Sequence, residues 1–203
     1  MHSTTRLGTS TRRDFLKQSS LTAGAGVLAS VPLARFAHAA GSDVLRVGLV
    51  GCGGRGTGAA LNAMAADKQV KVVALADSFE DRAQGCRKTL QQQKPEQTAI
   101  KDDHVFVGFE AYKQLIQSDV DVVLLCETPH FRPMHLRAAI DAGKHVFCEK
   151  PVAVDAPGIR SILETCKLAE QKGLSIVSGL CWRYHPAVIE TMKRIHDGAI
   201  GEI

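Results

Sequence analysis

The chain has 203 residues, a hydrophobic share of 45% and a formal net charge of +4, which allows one full domain and part of a second. The charge is uneven, because residues 1–40 hold five basic side chains and one acidic one, whereas residues 41–203 hold equal numbers of each. A balanced body of this kind excludes the strongly basic surface that a nucleic-acid-binding domain needs.

The first 39 residues have the organisation of a bacterial twin-arginine export signal. Arg12-Arg13 precede a Gly/Ala-rich apolar stretch over residues 21–34, and Ala37-His38-Ala39 forms a small-x-small cleavage site. That stretch is shorter than the ~20 residues a spanning helix needs, so no stable membrane span is expected. We predict a signal peptide over residues 1–39, recognition by the twin-arginine export machinery, and a periplasmic or otherwise exported protein. A disordered basic tail is the alternative.

A glycine-rich turn follows the first apolar run of the body. The run from Leu45 to Val50 leads into Gly51-x-Gly53-x-x-Gly56 and then into a helix-compatible stretch over residues 57–67. This order predicts the strand, turn and helix start of a dinucleotide-binding unit, although any tight strand-to-helix turn favours glycine. The first glycine permits the turn, the second lets the backbone approach a pyrophosphate, and the third lets helix and strand pack closely. The predicted cofactor contacts in this loop are Gly51, Cys52, Gly53, Gly54, Arg55 and Gly56.

The second predicted strand covers residues 70–76 and ends at Asp77. A carboxylate there, about 20 residues beyond the glycine turn, can accept hydrogen bonds from both adenosine ribose hydroxyls. It also repels a 2′-phosphate, so the cofactor is predicted to be NAD, with NADP second. The alternative is that Asp77 caps the next helix, a place that Ser78 could also fill.

Strand-like and helix-like segments continue to alternate beyond Asp77. Residues 91–103 are polar and aperiodic, and they predict a surface loop. Strands are predicted at 104–107, 120–126, 145–148 and 174–178, and helices at 110–117, 133–142, 156–172 and 186–197. Six strands alternating with helices predict an α/β fold with a doubly wound parallel (Rossmann) sheet over residues 40–180.

The six cysteines all follow residue 40, and no two form a C-x-x-C pair. A zinc ribbon or thioredoxin-type motif is therefore not indicated, and no metal site is predicted. Cys126 and Cys148 end apolar runs and are predicted to be buried strand residues. Disulfides are not expected.

Two polar clusters follow predicted strands at the sheet edge where ligands of such folds bind. Thr128-Pro129-His130 follows the fourth strand, and Glu149-Lys150-Pro151 follows the fifth. Proline cannot extend the strand, so Lys150 is projected toward the site, where it can hydrogen-bond a substrate hydroxyl and help its proton leave. A solvated ion pair between Glu149 and Lys150 is the alternative.

The stretch Gly-Lys-His-Val-Phe-Cys-Glu-Lys-Pro at residues 143–151 resembles the signature of the Gfo/Idh/MocA oxidoreductases (glucose-fructose oxidoreductase, inositol dehydrogenase and relatives). The glycine turn, Asp77, Thr128-Pro129 and the group Gly179 with Trp182-Arg183-Tyr184 recur in the family's order, so the resemblance covers residues 44–203. It implies NAD(P)-dependent oxidation or reduction of a sugar, cyclitol or related polyol. It gives Lys150 the substrate-orienting and proton-relay role with Glu149 in support. The cofactor contacts that it adds are Thr128, Pro129, His130, Glu149 and Arg183.

Two departures from the family pattern limit what the resemblance implies. Many members have a histidine a few residues after Thr-Pro, and Arg132 falls near that place. His130 and His135 are candidate substitutes, although a place on the helix surface is favoured for His135. Members also carry a C-terminal α/β domain that supplies an Asp and a His to the active site. Residues 198–203 resemble only the lead-in to that domain, so 181–203 are predicted as a bridging helix and its start.

The predicted function is therefore an exported NAD(P)-dependent oxidoreductase acting on CH–OH groups, represented by its nucleotide-binding half. The isolated chain is expected to bind nucleotide and to turn over little, because half a cleft neither fixes a substrate nor excludes water. The alternatives are a glycosidase that uses bound NAD for transient oxidation and a non-catalytic nucleotide-binding remnant. A homo-oligomer is considered for the full-length protein, because the family's second sheet commonly forms an interface.

Overall fold

The structure is a computed structural model that describes residues 44–202. The predicted signal peptide lies outside the described residues. The described chain forms a sheet of six strands that are all parallel, in the order β3-β2-β1-β4-β5-β6. The strands are Leu45–Val50 (β1), Val70–Asp77 (β2), Val105–Val107 (β3), Val122–Leu125 (β4), His145–Cys148 (β5) and Ile176–Ser178 (β6). The predicted doubly wound parallel sheet is confirmed.

Helices connect successive strands on both faces of this sheet. They are Gly54–Ala66 (α1), Glu80–Gln93 (α2), Ala111–Gln117 (α3), Arg132–Asp141 (α4), Ala156–Gln171 (α5) and Pro186–His196 (α6). Because the strand order reverses between β1 and β4, the crevice where ligands of such sheets bind opens beyond the carboxyl ends of those two strands. Within residues 44–202, no helix combines the length and the apolar character that crossing a membrane requires.

Two apolar cores lie on opposite sides of the sheet. One core contains Leu49 from β1 with Met64 from α1 and Leu90 from α2, all of them buried. The other contains Leu115 from α3 and Ile140 from α4. Both faces of the central strands are thus covered, which is why those strands are nearly continuous apolar runs.

Two local expectations, the start of α1 and the cap of α2, need correction. Helix α1 begins at Gly54, so the last glycine of the turn lies inside the helix. Ser78 does not cap α2, because Phe79 is the cap residue and the Asp77 carboxylate accepts the Phe79 N–H at 3.0 Å. An aspartate two residues before an N–H readily closes such a turn.

Residues 91–103 are more structured than the loop that was expected. Helix α2 continues to Gln93, and single 3₁₀ turns follow at Pro95–Gln97 and Asp102–His104. Ile100 between them is buried in the core. The glutamines look like loop residues in the sequence because the last turn of the helix has no buried side chain after Leu90.

Candidate functional site

The glycine turn has the backbone geometry that its spacing predicts. Gly51 has φ +89°, a left-handed conformation that L side chains rarely adopt, and its N–H donates to the Ala76 carbonyl at 2.8 Å. A Cβ added at Gly56 would lie 1.8 Å from the Gly51 carbonyl oxygen, so only glycine allows this packing. A Cβ at Gly53 would meet only one atom of Arg82, at 3.6 Å, so the backbone is open to a ligand there.

The start of α1 is suited to an anion. Its cap residue Gly53 has no side chain that could take up the first N–H groups, and no acidic residue stands in the first turn. Unsatisfied N–H groups at a helix N-terminus attract phosphate through direct hydrogen bonds and through the helix dipole. The turn and α1 therefore fit the pyrophosphate of a dinucleotide.

Asp77 lies at the end of β2 beside this turn. Its Oδ2 accepts the Cys52 N–H at 2.6 Å and its Oδ1 accepts the Phe79 N–H at 3.0 Å. These two bonds fix the carboxylate and join the glycine turn to the neighbouring strand end. Each carboxylate oxygen has two lone pairs, so acceptor capacity remains for ribose hydroxyls.

A cavity of about 460 Å³ opens between the strand ends. Asp77 and the glycine turn form one side of it, and aromatic side chains form much of the other. Outside the turn, the cavity lining includes Asp77, Arg82, Phe109, Tyr112, Thr128, Phe131 and His135. An apolar cleft with a few convergent polar groups is the usual form of a small-molecule site. The aromatic residues of the lining were not predicted from the sequence. They lie far apart in the chain, near the starts of α2, α3 and α4, and no motif connects them.

Glu149 is held on several sides at the end of β5. Its Oε1 accepts Arg55 Nε at 2.6 Å, its Oε2 accepts the Lys150 N–H at 2.6 Å, and the residue is 5% exposed. A Cβ added at Gly179 would lie within 3.0 Å of this carboxylate, so the glycine makes room for it. Burial acts to raise the pKa of Glu149, but the hydrogen bond from Arg55, the hydrogen bond from the Lys150 N–H and the positive charges of both residues together lower the pKa below 4.5.

The suggested ion pair between Glu149 and Lys150 is not formed. Glu149 pairs with Arg55 instead, and the Lys150 side chain is exposed and makes no ion pair within residues 44–202. Because Lys150 has no ion-pair partner in this part of the chain, its ammonium group is available to a ligand. The Lys150–Pro151 peptide bond is cis.

Glu149 should make the stability of the protein depend on acid pH. A carboxylate whose pKa is lowered by folding stabilises the folded state above its unfolded pKa, and this contribution is lost as pH falls below 4.5. We expect Glu149→Gln to lower the free energy of unfolding at neutral pH and the difference from the unchanged protein to shrink in acid. Urea denaturation across this range measures it. A pH-independent difference, equal to that of the exposed control Glu164→Gln, would contradict the assignment.

Arg132 braces the site in a way that the sequence did not indicate. Its guanidinium is buried and donates to the carbonyls of Pro151 and Glu127, one after β5 and one after β4. It therefore joins the two loops that carry the polar clusters.

The expectation that His135 lies on the helix surface is wrong. The residue is 6% exposed, its ring stacks on Tyr112 with a centroid distance of 4.0 Å, and its Nδ1 lies 3.2 Å from Glu127 Oε1. It lies on the same face of α4 as the buried residues Leu136 and Ala139. The helical spacing of these three residues in the sequence already indicates that they share a face.

The other predicted contacts differ in placement. Thr128 lines the cavity, whereas Pro129 and His130 are not part of its lining. Arg183 is exposed in the 3₁₀ turn Cys181–Tyr184, which precedes α6. Contact with a cofactor stays a prediction for each of these residues.

All six cysteines are free thiols. Cys148 is a buried residue of β5, as predicted, whereas Cys126 is only partly buried and directly follows the end of β4. Burial raises the pKa of each of these two thiols to about 12, so neither is a nucleophile near neutral pH. Residues 44–202 contain no group of three His, Cys, Asp or Glu side chains arranged to hold a metal ion.

Known proteins with similar sequences include NAD-binding oxidoreductases, in agreement with the nucleotide-binding geometry described above. The profile of the family described as "Oxidoreductase family, NAD-binding Rossmann fold" matches residues 45–178. An inositol 2-dehydrogenase/D-chiro-inositol 3-dehydrogenase of Lactiplantibacillus plantarum is 31% identical over 161 residues, which are 79% of this chain and 42% of that protein. A glycosyl hydrolase family 109 protein of Solibacter usitatus is 30% identical over 206 residues, covering 95% of this chain and 44% of that protein.

A solved structure has the same fold. The 3-ketoreductase from Actinomadura kijaniata in complex with NADP and TDP-benzene superposes with a TM-score of 0.61 at 27% identity, covering 79% of this chain and 44% of that one. The chain thus spans less than half the length of the relatives it matches.

Proposed function

Since the chain belongs to the Gfo/Idh/MocA family of oxidoreductases, which has an NAD-binding Rossmann fold, we propose that the protein oxidises or reduces a CH–OH group of a sugar, cyclitol or related polyol with NAD(P). One observation carries the proposal. The glycine turn and Asp77 lie together at the switch point of the sheet, where they could hold a phosphate and a ribose, and Glu149 and Lys150 stand at the end of β5, the second strand beyond β1.

The bound nicotinamide would take up or give the hydride. Gly53 and the start of α1 would hold the pyrophosphate, and Asp77 would accept the ribose hydroxyls. Lys150 would hydrogen-bond the substrate oxygen: in oxidation its amine form would accept the hydroxyl proton as hydride leaves carbon, and in reduction its ammonium form would return that proton. Asp77 supports NAD as the preferred cofactor, whereas Arg82 in the same cavity lining is a group that a 2′-phosphate could use.

A redox-assisted glycosidase is the second candidate. It rests on the Solibacter usitatus relative, whose alignment covers 95% of the chain against 79% for the inositol dehydrogenase. The Lys150 side chain is exposed and forms no ion pair with any residue from 44 to 202, which supports the plain dehydrogenase because its ammonium is available to a substrate hydroxyl.

Export is part of the proposal. Arg12-Arg13 and Ala37-His38-Ala39 support passage through the twin-arginine machinery to the periplasm and cleavage after Ala39. That route carries folded proteins, so the cofactor would be loaded before export. The homo-oligomer considered for the full-length protein rests on the family resemblance alone.

The two enzymatic candidates differ in whether NAD is changed at the end of the reaction. The test uses a fusion of this chain to a substrate-binding domain of the family. We expect it to form NADH from NAD with polyols and to release no chromophore from a chromogenic glycoside. Lys150→Ala should abolish NADH formation and leave NAD affinity within about two-fold, because the lysine is exposed and outside the cradle. Residues 1–203 alone should bind NAD with little turnover. Glycoside hydrolysis without net NADH would contradict the dehydrogenase.

A further inference from the structure

The ion pair between Arg55 and Glu149 connects two parts of the site that are distant in sequence. Arg55 belongs to the glycine turn and stands in the first turn of α1, and Glu149 lies 94 residues further along the chain. In the sheet, β4 separates β1 from β5, so the arginine side chain crosses the end of β4 to reach its partner. A bond of 2.6 Å therefore spans the switch point of the sheet.

Only part of the Arg55 guanidinium is used in this bond. Nε donates to Glu149 Oε1, while the side chain as a whole is 50% exposed. A guanidinium carries five N–H donors in a planar fork, so its two Nη groups can serve a second anion. Because Arg55 follows Gly53 and Gly54 at the start of α1, that anion would sit beside the helix N-terminus.

Glu149 links Arg55 to Lys150, the residue proposed to act on the substrate, because its carboxylate bonds to both. Its second oxygen accepts the Lys150 N–H at 2.6 Å, and Gly179 closes the space behind it. Moving or neutralising the arginine would leave the buried Glu149 carboxylate without its charge partner. An uncompensated buried charge strongly destabilises the folded state. Since the Lys150 N–H bonds to this carboxylate, a shift of Glu149 would also shift the backbone of Lys150.

We propose that Arg55 is a positioning residue for Lys150 that also contacts the cofactor pyrophosphate, so that occupation of the phosphate cradle is coupled to the Glu149–Lys150 strand end. The inference rests on the proposed function and deepens it. Nε holds Glu149, and the Nη groups hold the phosphate oxygens in the same arginine conformation.

The test compares Arg55→Gln and Arg55→Lys with the matched control Arg137→Gln. Arg137 is 51% exposed, close to the 50% of Arg55, and pairs at 2.9 Å with Asp141, which is half-exposed, so the control removes a similarly exposed arginine from an ion pair that lies far from the turn in sequence. Calorimetric titration with NAD and with ADP measures affinity. NMR of the Glu149 carboxyl carbon and the Lys150 amide reports the pKa of Glu149 and the response of the strand end to ligand.

We expect Arg55→Gln to weaken NAD and ADP about ten-fold or more, the effect of one charge-assisted hydrogen bond. The pKa of Glu149 should rise in this variant, and the change of the Lys150 amide resonance on NAD binding should be lost. Arg55→Lys should recover part of the affinity, and Arg137→Gln should match the unchanged protein.

Two negative results have different meanings. If the unchanged protein binds NAD and Arg55→Gln binds NAD and ADP equally well, with the Lys150 amide still responding, the inference is overturned and the proposed function stands. If the unchanged protein binds neither nucleotide, the proposed function fails and the inference fails with it.

Discussion

Gly56→Ala is expected to abolish NAD binding and to lower the free energy of unfolding by about 3 kcal/mol or more. The new methyl group would lie 1.8 Å from the Gly51 carbonyl oxygen and 3.3 Å from the Cys126 side chain. The first of these is backbone, which cannot rotate away. Helix α1 would have to move outward from β1, and its N-terminus would leave the phosphate position. Urea denaturation and calorimetric titration with NAD measure the two effects.

Gly58→Ala is the matched control for this change. It lies in the same helix, and its added Cβ would meet nothing closer than Arg55 Nη1 at 3.7 Å. Alanine inside a helix is favoured over glycine by about 0.5–1 kcal/mol, so this variant should be at least as stable as the unchanged protein. Wild-type stability and NAD affinity in Gly56→Ala would show that the close packing of turn and helix is not needed.

Asp77→Ala is expected to weaken NAD about ten-fold or more and to reduce the preference for NAD over NADP. The carboxylate accepts the Cys52 and Phe79 N–H groups in the structure and is expected to accept ribose hydroxyls as well. Its negative charge is also what opposes a 2′-phosphate. Parallel titrations with NAD and NADP separate the affinity change from the change in preference.

Two further variants assign the cause. Asp77→Asn keeps an acceptor oxygen and removes the charge, so it should lose discrimination between the cofactors more than it loses NAD affinity. Asp81→Asn removes a charge from the first turn of α2 but not from the cavity lining, and it should change neither quantity. An unchanged NAD-to-NADP ratio in Asp77→Asn would show that the carboxylate does not read the ribose.

The sheet could be predicted because its strands carry a strong local signal. Runs of β-branched and apolar residues marked every strand, and residues 145–148 were placed with the bounds that the structure has. The roles of Gly51 in the turn and of Gly56 in close packing were also predictable. Each follows from a backbone requirement that only glycine meets.

The contacts across the sheet could not be predicted in the same way. Nothing local to Arg55 or Glu149 indicates that they pair, because their proximity depends on the strand order and on the path of the arginine across β4. Arg132 appeared as a departure from a family pattern, whereas the structure buries it between two loops. A polar residue such as His135 favours a surface position, but its spacing from Leu136 and Ala139 places it on the buried face of α4.

The most direct test of the nucleotide site is calorimetric titration of NAD and of NADP into the 203-residue protein. We predict saturable binding of NAD at a single site per chain, with NADP weaker, and no saturable binding of NAD to Gly56→Ala. Absence of saturable binding of either nucleotide to the folded, unchanged protein would contradict the assignment of the glycine turn and Asp77 as a cofactor site.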